Sequence, residues 1–214
     1  MQMILLQASS VKADLFSDKC PDIEKCAKYL NQKFGEKYIF ANDVKGSLKV
    51  VGDIEIDKDN YDFLFTRMLF ENGFTRIPVN IKNTYQIVSR REAKDMTLPT
   101  LTCDDRHPPK LMNTYDLITM KYKAKNPEVV FEISRVLRNF MPPNSRIVST
   151  DVGGMLIVTD SSSNMKKIYD MIVESDVKPT AEMKKRWEEN EKRRMMNPRP
   201  PMSEGDHEPG KHSE

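Results

Sequence analysis

The residues able to do chemistry in this chain are few and poorly placed for it. His107 lies in a proline-rich stretch, and His207 and His212 lie in a segment without core residues. No histidine therefore falls on an element that could orient it as a general base. Cys103-Asp104-Asp105-Arg106-His107 offers three kinds of metal ligand in one run. A structural zinc site needs four convergent ligands, and with no second ligand pair the run reads as a surface loop. Asp57 and Asp59 read as helix caps, and Asp104-Asp105 as a solvated turn. Gly153-Gly154 falls between two strand patterns, whereas a phosphate cradle needs a glycine loop opening onto a helix amino end. The expectation is a protein that is not an enzyme, with no cofactor and no metal. The three cysteines, Cys20, Cys26 and Cys103, fit either reduced thiols or one disulfide and a spare thiol.

Charge narrows the partners. The 34 Lys+Arg against 32 Asp+Glu leave a net charge of +2, whereas a general binder of nucleic acid or membrane surface carries a basic excess. No apolar run approaches the ~20 residues of a membrane-spanning helix. No Leu, Ile, Val or Phe follows Val177, so residues 178–214 stay out of any core. Residues 1–13, with Met3-Ile4-Leu5-Leu6 ahead of Ala8-Ser9-Ser10, read either as the stump of a secretory signal or as a frayed first strand.

The core elements follow from hydrophobic period. Ile23, Cys26, Ala27, Leu30 and Phe34 share one helical face, with Gly35 at the end. Tyr38-Ile39-Phe40 and Leu48 to Ile54 read as strands around a turn at Asn42 to Gly46, and a further strand is expected at Leu15-Phe16. Tyr61, Leu64, Phe65, Met68 and Leu69 mark a second helix, closed by Asn72-Gly73. Phe74 to Val79 and Thr84 to Val88 form a hairpin, in which Pro78 suits an edge strand. Residues 96–113, with Pro99, Pro108 and Pro109, read as a linker.

The pattern then restarts. Leu117 to Tyr122 is a strand, and Asn126-Pro127 opens a helix whose stripe is Val129, Val130, Ile133, Val136, Leu137 and Phe140. Pro142-Pro143 ends that helix. Arg146 to Thr150 and Met155 to Thr159 form a hairpin about Asp151-Val152-Gly153-Gly154, and a last core helix buries Met165, Ile168 and Ile172. Beyond Pro179-Thr180, a helix with Glu182–Arg186, Glu188–Lys192 and Glu189–Arg193 pairs surrounds Trp187, and disorder is expected from Asn197 onward. The fold class is α+β, with two small α/β domains at 14–95 and 114–177 and a charged tail at 178–214.

Asp22-Ile23-Glu24, Val44-Lys45-Gly46, Gly73-Phe74 and Tyr85 to Lys94 resemble the first periplasmic domain of bacterial secretins, in particular the type II secretion secretin, a domain also seen at the front of some TonB-dependent receptors. Tyr115 to Tyr122, Arg146 to Asp151 and Met155 to Asp160 are similar to the next secretin domain, which has a KH-like βαββα fold. The resemblance covers about residues 14–177. One departure is Gly153-Gly154, where the family often carries Thr-Asn. A secretin also continues into a further ring-forming repeat, a gate and a barrel. The expectation is thus a fragment, a separately encoded periplasmic half or an adaptor, not the pore.

What the resemblance implies is a docking module of a protein secretion machine, located in the periplasm and associated with an outer-membrane secretin complex. It would bind an inner-membrane component through early strands of the first domain and pack against secretin-type subunits in a ring. Carried onto this sequence, the partner-binding residues are Leu15, Phe16, Ser47, Leu48, Lys49, Val50 and Val51. Physically, a small α/β unit with an open strand edge recruits an extended segment by β-addition. The alternatives are KH-type RNA binding by the second domain, for which a Gly-x-x-Gly loop between helices is missing, and a signalling domain of a TonB-dependent receptor system.

Overall fold

The computed structural model describes residues 13–40, 43–142, 145–150 and 153–196. The first half opens with a single turn, α1 (Phe16–Lys19). α2 (Ile23–Phe34) starts at Asp22, whose carboxylate accepts the Lys25 N–H at 2.8 Å, and stops at left-handed Gly35. Ile23, Cys26, Ala27 and Leu30 are buried, the face that the period predicts. β1 (Lys37–Phe40), α3 (Tyr61–Glu71), β2 (Phe74–Pro78) and β3 (Thr84–Ser89) follow. The sheet runs β1-β3-β2, with β1 parallel and β2 antiparallel to β3. Pro78 thus sits on an edge strand, where its missing donor removes no ladder bond. Phe16, Leu30, Ile56, Phe65, Met68, Leu69 and Ile87 form the core between helices and sheet.

Ser89 and Glu92 make a reciprocal capping box at α4 (Arg90–Ala93). The second half comprises β4 (Thr100–Cys103), β5 (Leu117–Lys123), α5 (Val130–Leu137), β6 (Arg146–Thr150), β7 (Met155–Ser161) and α6 (Ser162–Ser175). Its sheet order is β4-β5-β7-β6, with only the β4–β5 pair parallel. Met120, Tyr122, Leu156 and Val158 alternate inward under α5 and α6, and each is fully buried. Asp176 ties the far end together: its carboxylate accepts from the Tyr122 hydroxyl at 2.9 Å and from the Lys125 and Asn126 amides at 2.7 and 2.9 Å. Asn126, expected to cap α5, spends its side-chain amide on Asp176 instead, and Pro127 opens a short 3₁₀ turn ahead of the helix.

Val136 and Phe140, expected in the buried stripe of α5, are exposed, and three expectations about strands and linker also need correction. Leu15-Phe16 is not a strand but one antiparallel bridge, Leu15 to Glu55, after which the chain coils into α1 to bury the Phe16 ring. Leu48 to Ile54 joins no ladder among the described residues; β1 pairs with β3 instead, and just ahead of the segment Gly46 lies so close to Asn72 that a Cβ there would lie 2.2 Å from its side chain. Residues 96–113 are more than a linker, because Thr100 to Cys103 adds β4 to the second sheet and buried Leu98 joins a cluster with Ile77, Val88, Ala93 and Leu117. The prolines flank this strand without interrupting it.

The described residues up to Val177 make one compact unit, and those from Lys178 make another. The second contains α7 (Ala181–Met196), where Thr180 Oγ1 accepts the Met183 N–H at 3.2 Å and Glu182 pairs with Arg186 at 3.6 Å. The leading segment 1–12, Asn42, Pro143, Asp151-Val152, and the tail from Asn197 with His207 and His212 lie outside the described residues.

Candidate docking edge

Residues 47–53 form an arch pinned at both ends. At its start the Ile23 amide, first in α2, donates to Gly46 O at 3.1 Å, and Asn72 Nδ2 donates to Ser47 O at 2.9 Å. At its finish the Phe16 amide donates to Ile54 O at 2.8 Å and the Ile56 amide to Asp14 O at 2.8 Å. Ile56 is buried and takes the Lys33 ammonium on its carbonyl at 3.0 Å. Between these anchors, residues 48–53 make no backbone-to-backbone hydrogen bond among the described residues. Leu48 and Val50 lean on the core, while Ser47, Lys49 and Val51 face out, Val51 at 91% exposure. That alternation is the period of a half-buried strand without the neighbour, and unpaired backbone of this kind is a template for an incoming strand.

The predicted residues therefore divide. Ser47, Leu48, Lys49, Val50 and Val51 share the arch. Leu15 lies at its finish, paired to Glu55, and Phe16, 2% exposed, acts as an anchor whose ring is inside the core. Sequence reasoning left the cysteines open; Cys20 and Cys26 form a buried disulfide between α1 and α2, and Cys103 is a buried free thiol pushed up to about 11 by burial. Beside α1, the Asp14 carboxylate sits 2.7 Å from Lys33 and 3.4 Å from Lys19. The hydrogen bond from Lys33 chiefly holds its pKa down at about 2, and Lys33 is raised in return.

A second cluster was not read from the sequence at all. Arg76, on β2, is 2% exposed and reaches from the first half to the second, donating Nε to both Asp116 oxygens at 3.1 and 3.2 Å. Its Nη2 lies 2.7 Å from Asp62 Oδ1, an ion contact off the hydrogen-bond direction, and its guanidinium stacks 4.3 Å above the Tyr85 ring. Glu36, 8% exposed, adds a third carboxylate near the one cation; burial pushes its pKa up, as it does that of Asp116 against the opposing pull of Arg76. The Tyr61 hydroxyl, which reaches Glu36, is pushed up to about 12, mainly by burial. Alongside, Tyr115 packs on Phe63 and Phe70, accepts from Arg67 Nη1 at 2.5 Å, and donates its amide to Thr66 Oγ1 at 3.0 Å. The Leu117 amide likewise donates to Thr75 Oγ1 at 3.2 Å. Single arginines and aspartates carry no spacing signal, so only the folded chain brings these together.

A groove of about 530 Å³ between α2 and β1 is lined by Glu24, Lys28, Asn31, Lys37 and Tyr38, with no histidine, cysteine or hydroxyl nucleophile of serine or threonine type. Gly153-Gly154 occupies the β6–β7 turn. A Cβ on Gly154, at φ +60°, would meet Pro127 at 2.7 Å, so the pair serves close packing of the hairpin on the start of α5's turn and does not form a loop between helices.

No family model matches this sequence, and no curated protein matches it. Among solved structures, 79% of the chain matches 26% of a chain of the Klebsiella pneumoniae type II secretion outer membrane complex of PulD, PulS and the PulC HR domain, at TM-score 0.57 and 17% identity. The N-terminal domain of the secretin XcpQ from Pseudomonas aeruginosa matches over 76% of this chain and 64% of its own, at TM-score 0.28 and 20% identity. The enterotoxigenic Escherichia coli GspC–GspD complex matches over 74% and 94%, at TM-score 0.27 and 14% identity. The chain spans about a quarter of the Klebsiella chain that it matches, at 26%. Two small mixed sheets, each backed by helices and taken in this order, give this chain a fold similar to that of type II secretion secretin N-terminal domains.

Proposed function

We propose that this chain is a periplasmic, non-catalytic docking module of a type II secretion-like export machine, which receives a strand of an inner-membrane partner along residues 47–51 and packs against secretin-type subunits through its second half. The observation that carries this reading is the arch: strand-like alternation of Ser47, Leu48, Lys49, Val50 and Val51 with no backbone partner for residues 48–53 among those described. In strand addition the main chain supplies affinity and alternate side chains supply selectivity, so Lys49 and Val51 are the outward readers. A buried disulfide suits an oxidising space such as the periplasm. The fold similarity to secretin N-terminal domains supports the same assignment, and the structure containing the PulC HR domain supplies the class of partner.

The test is a calorimetric titration of the full chain with the periplasmic domain of the inner-membrane clamp protein from the cognate system. Micromolar binding is expected, since transient machinery contacts are small. Lys49→Pro or Val51→Pro should abolish it while leaving the thermal transition in place, because neither amide serves the fold. No binding at high concentration, or equal binding by both proline variants, removes the proposal.

A further inference from the structure

The Cys20–Cys26 disulfide links the two elements that anchor the arch. Its first cysteine ends α1, and the Cys20 amide donates to Phe16 O at 2.8 Å, while the Phe16 amide in turn holds Ile54 O at the finish of the arch. Its second cysteine lies in the first turn of α2, whose leading residue, Ile23, holds Gly46 O at the start. The sulfur bridge therefore ties the end of α1, which carries the Phe16 post, to the first turn of α2, which carries the Ile23 post, and residues 47–53 are strung between those two posts. α1 has little to keep it helical otherwise: it is four residues long and has no side-chain N-cap bond, and a single turn is far below the length at which a helix holds itself. Both cysteines are buried, at 2% and 1% exposure, so the bridge belongs to the packed structure.

We infer that this disulfide sets the span of the arch and so makes the docking edge conditional on oxidation; the edge is presented in full only after the chain has reached an oxidising compartment. The inference concerns regulation of the edge proposed above, and it rests on that reading for its biological meaning though not for its test. Reduction by a dithiol breaks one S–S bond and forms two thiols; the dithiol supplies two electrons and two protons and leaves as a cyclic disulfide. Freed from its post, α1 frays, and the Phe16 and Ile56 amides lose their shared two-bond bridge.

Amide hydrogen exchange on the full chain decides this, with oxidised protein compared with the same protein in dithiothreitol and with the Cys20→Ser/Cys26→Ser variant. Protection at Phe16, Ile23 and Ile56 should fall by about tenfold or more, as local opening becomes easier once a short loop is no longer closed. Protection at Met120 and Val158, in the β5–β7 ladder, should be unchanged. Equal protection at the three arch amides in both redox states overturns the inference, and so does an equal loss at Met120 and Val158, which would make the bridge a general staple. The wild-type chain under reduction keeps the experiment decisive if the serine variant does not fold. A negative partner titration with the exchange result intact sinks the docking reading alone.

Discussion

The arch over residues 47–53 and the seam at Arg76 spend the polar groups of the first half in opposite ways. In the arch, the backbone groups of residues 48–53 have no backbone hydrogen-bond partner among the described residues, and at a surface that water reaches, leaving such groups unpaired costs little. At the seam, one buried guanidinium serves buried Asp116 and partly exposed Asp62 and stacks on the Tyr85 ring. There, an unpaired group is expensive. The contrast teaches that the two halves are fastened to each other well and that the first half leaves one margin unfinished.

The sharpest way to break the contrast is to cut the seam. Arg76→Met strands the buried Asp116 carboxylate and should lower unfolding free energy by about 3–5 kcal/mol, the range for orphaning one partner of a buried pair, measured by urea denaturation. Adding Asp116→Leu should recover part of that loss, and a double-mutant cycle with no coupling would show that the contact contributes little. Tyr115→Ala, which removes a half-buried ring and the partner of Arg67, should cost about 2 kcal/mol, below the usual range for a fully buried aromatic.

Acidity separates the regions by sign. Asp14, beside the arch, has a native pKa of about 2 against an ordinary 3.8, so its support is present above the ordinary value and is lost as pH falls through that window. Glu36, at the seam, is raised by burial; the native state there binds more protons than the unfolded chain, and stability falls as pH rises from the ordinary carboxylate value through the raised one. Glu36→Gln should therefore stabilise the protein at neutral pH and flatten that limb of the pH profile, whereas Asp14→Asn should flatten the acid limb. Thermal melts across pH read both, and identical profiles for the two variants would erase the distinction. The smallest effect belongs to the arch itself: Val51→Thr should change stability by no more than about 0.5 kcal/mol, as at an exposed site with no special contact.

Local pattern was enough for α2, α3, α6 and the two hairpins, because each has an apolar face whose period is visible in consecutive residues and a cap or turn residue where the period stops. The same logic overreached at Leu48 to Ile54. Alternation there is real, but a strand also needs a neighbour, and a neighbour is not a property of the segment. It underreached at Thr100 to Cys103, where flanking prolines hid four residues that β5 recruits. Of the candidate site, Leu48 to Ile54 read from the sequence as a paired strand, and a docking role for residues 47–51 followed from the family resemblance alone; the posts that hold the segment were not legible, since Phe16 to Ile54 and Ile23 to Gly46 are contacts across the chain.

By itself, the amino-acid order determined where α2, α3, α6 and the two hairpins form, and which apolar faces those helices turn inward. Only the folded chain decided that Arg76 meets Asp116 across 40 positions, that Cys20 pairs with Cys26 while Cys103 stays free, and that residues 48–53 go without a strand partner among the described residues. Period and capping are read over one turn or one pleat, a few residues at a time. Ion pairs, disulfides and ladders depend on distances between segments, and those exist only once the core has packed.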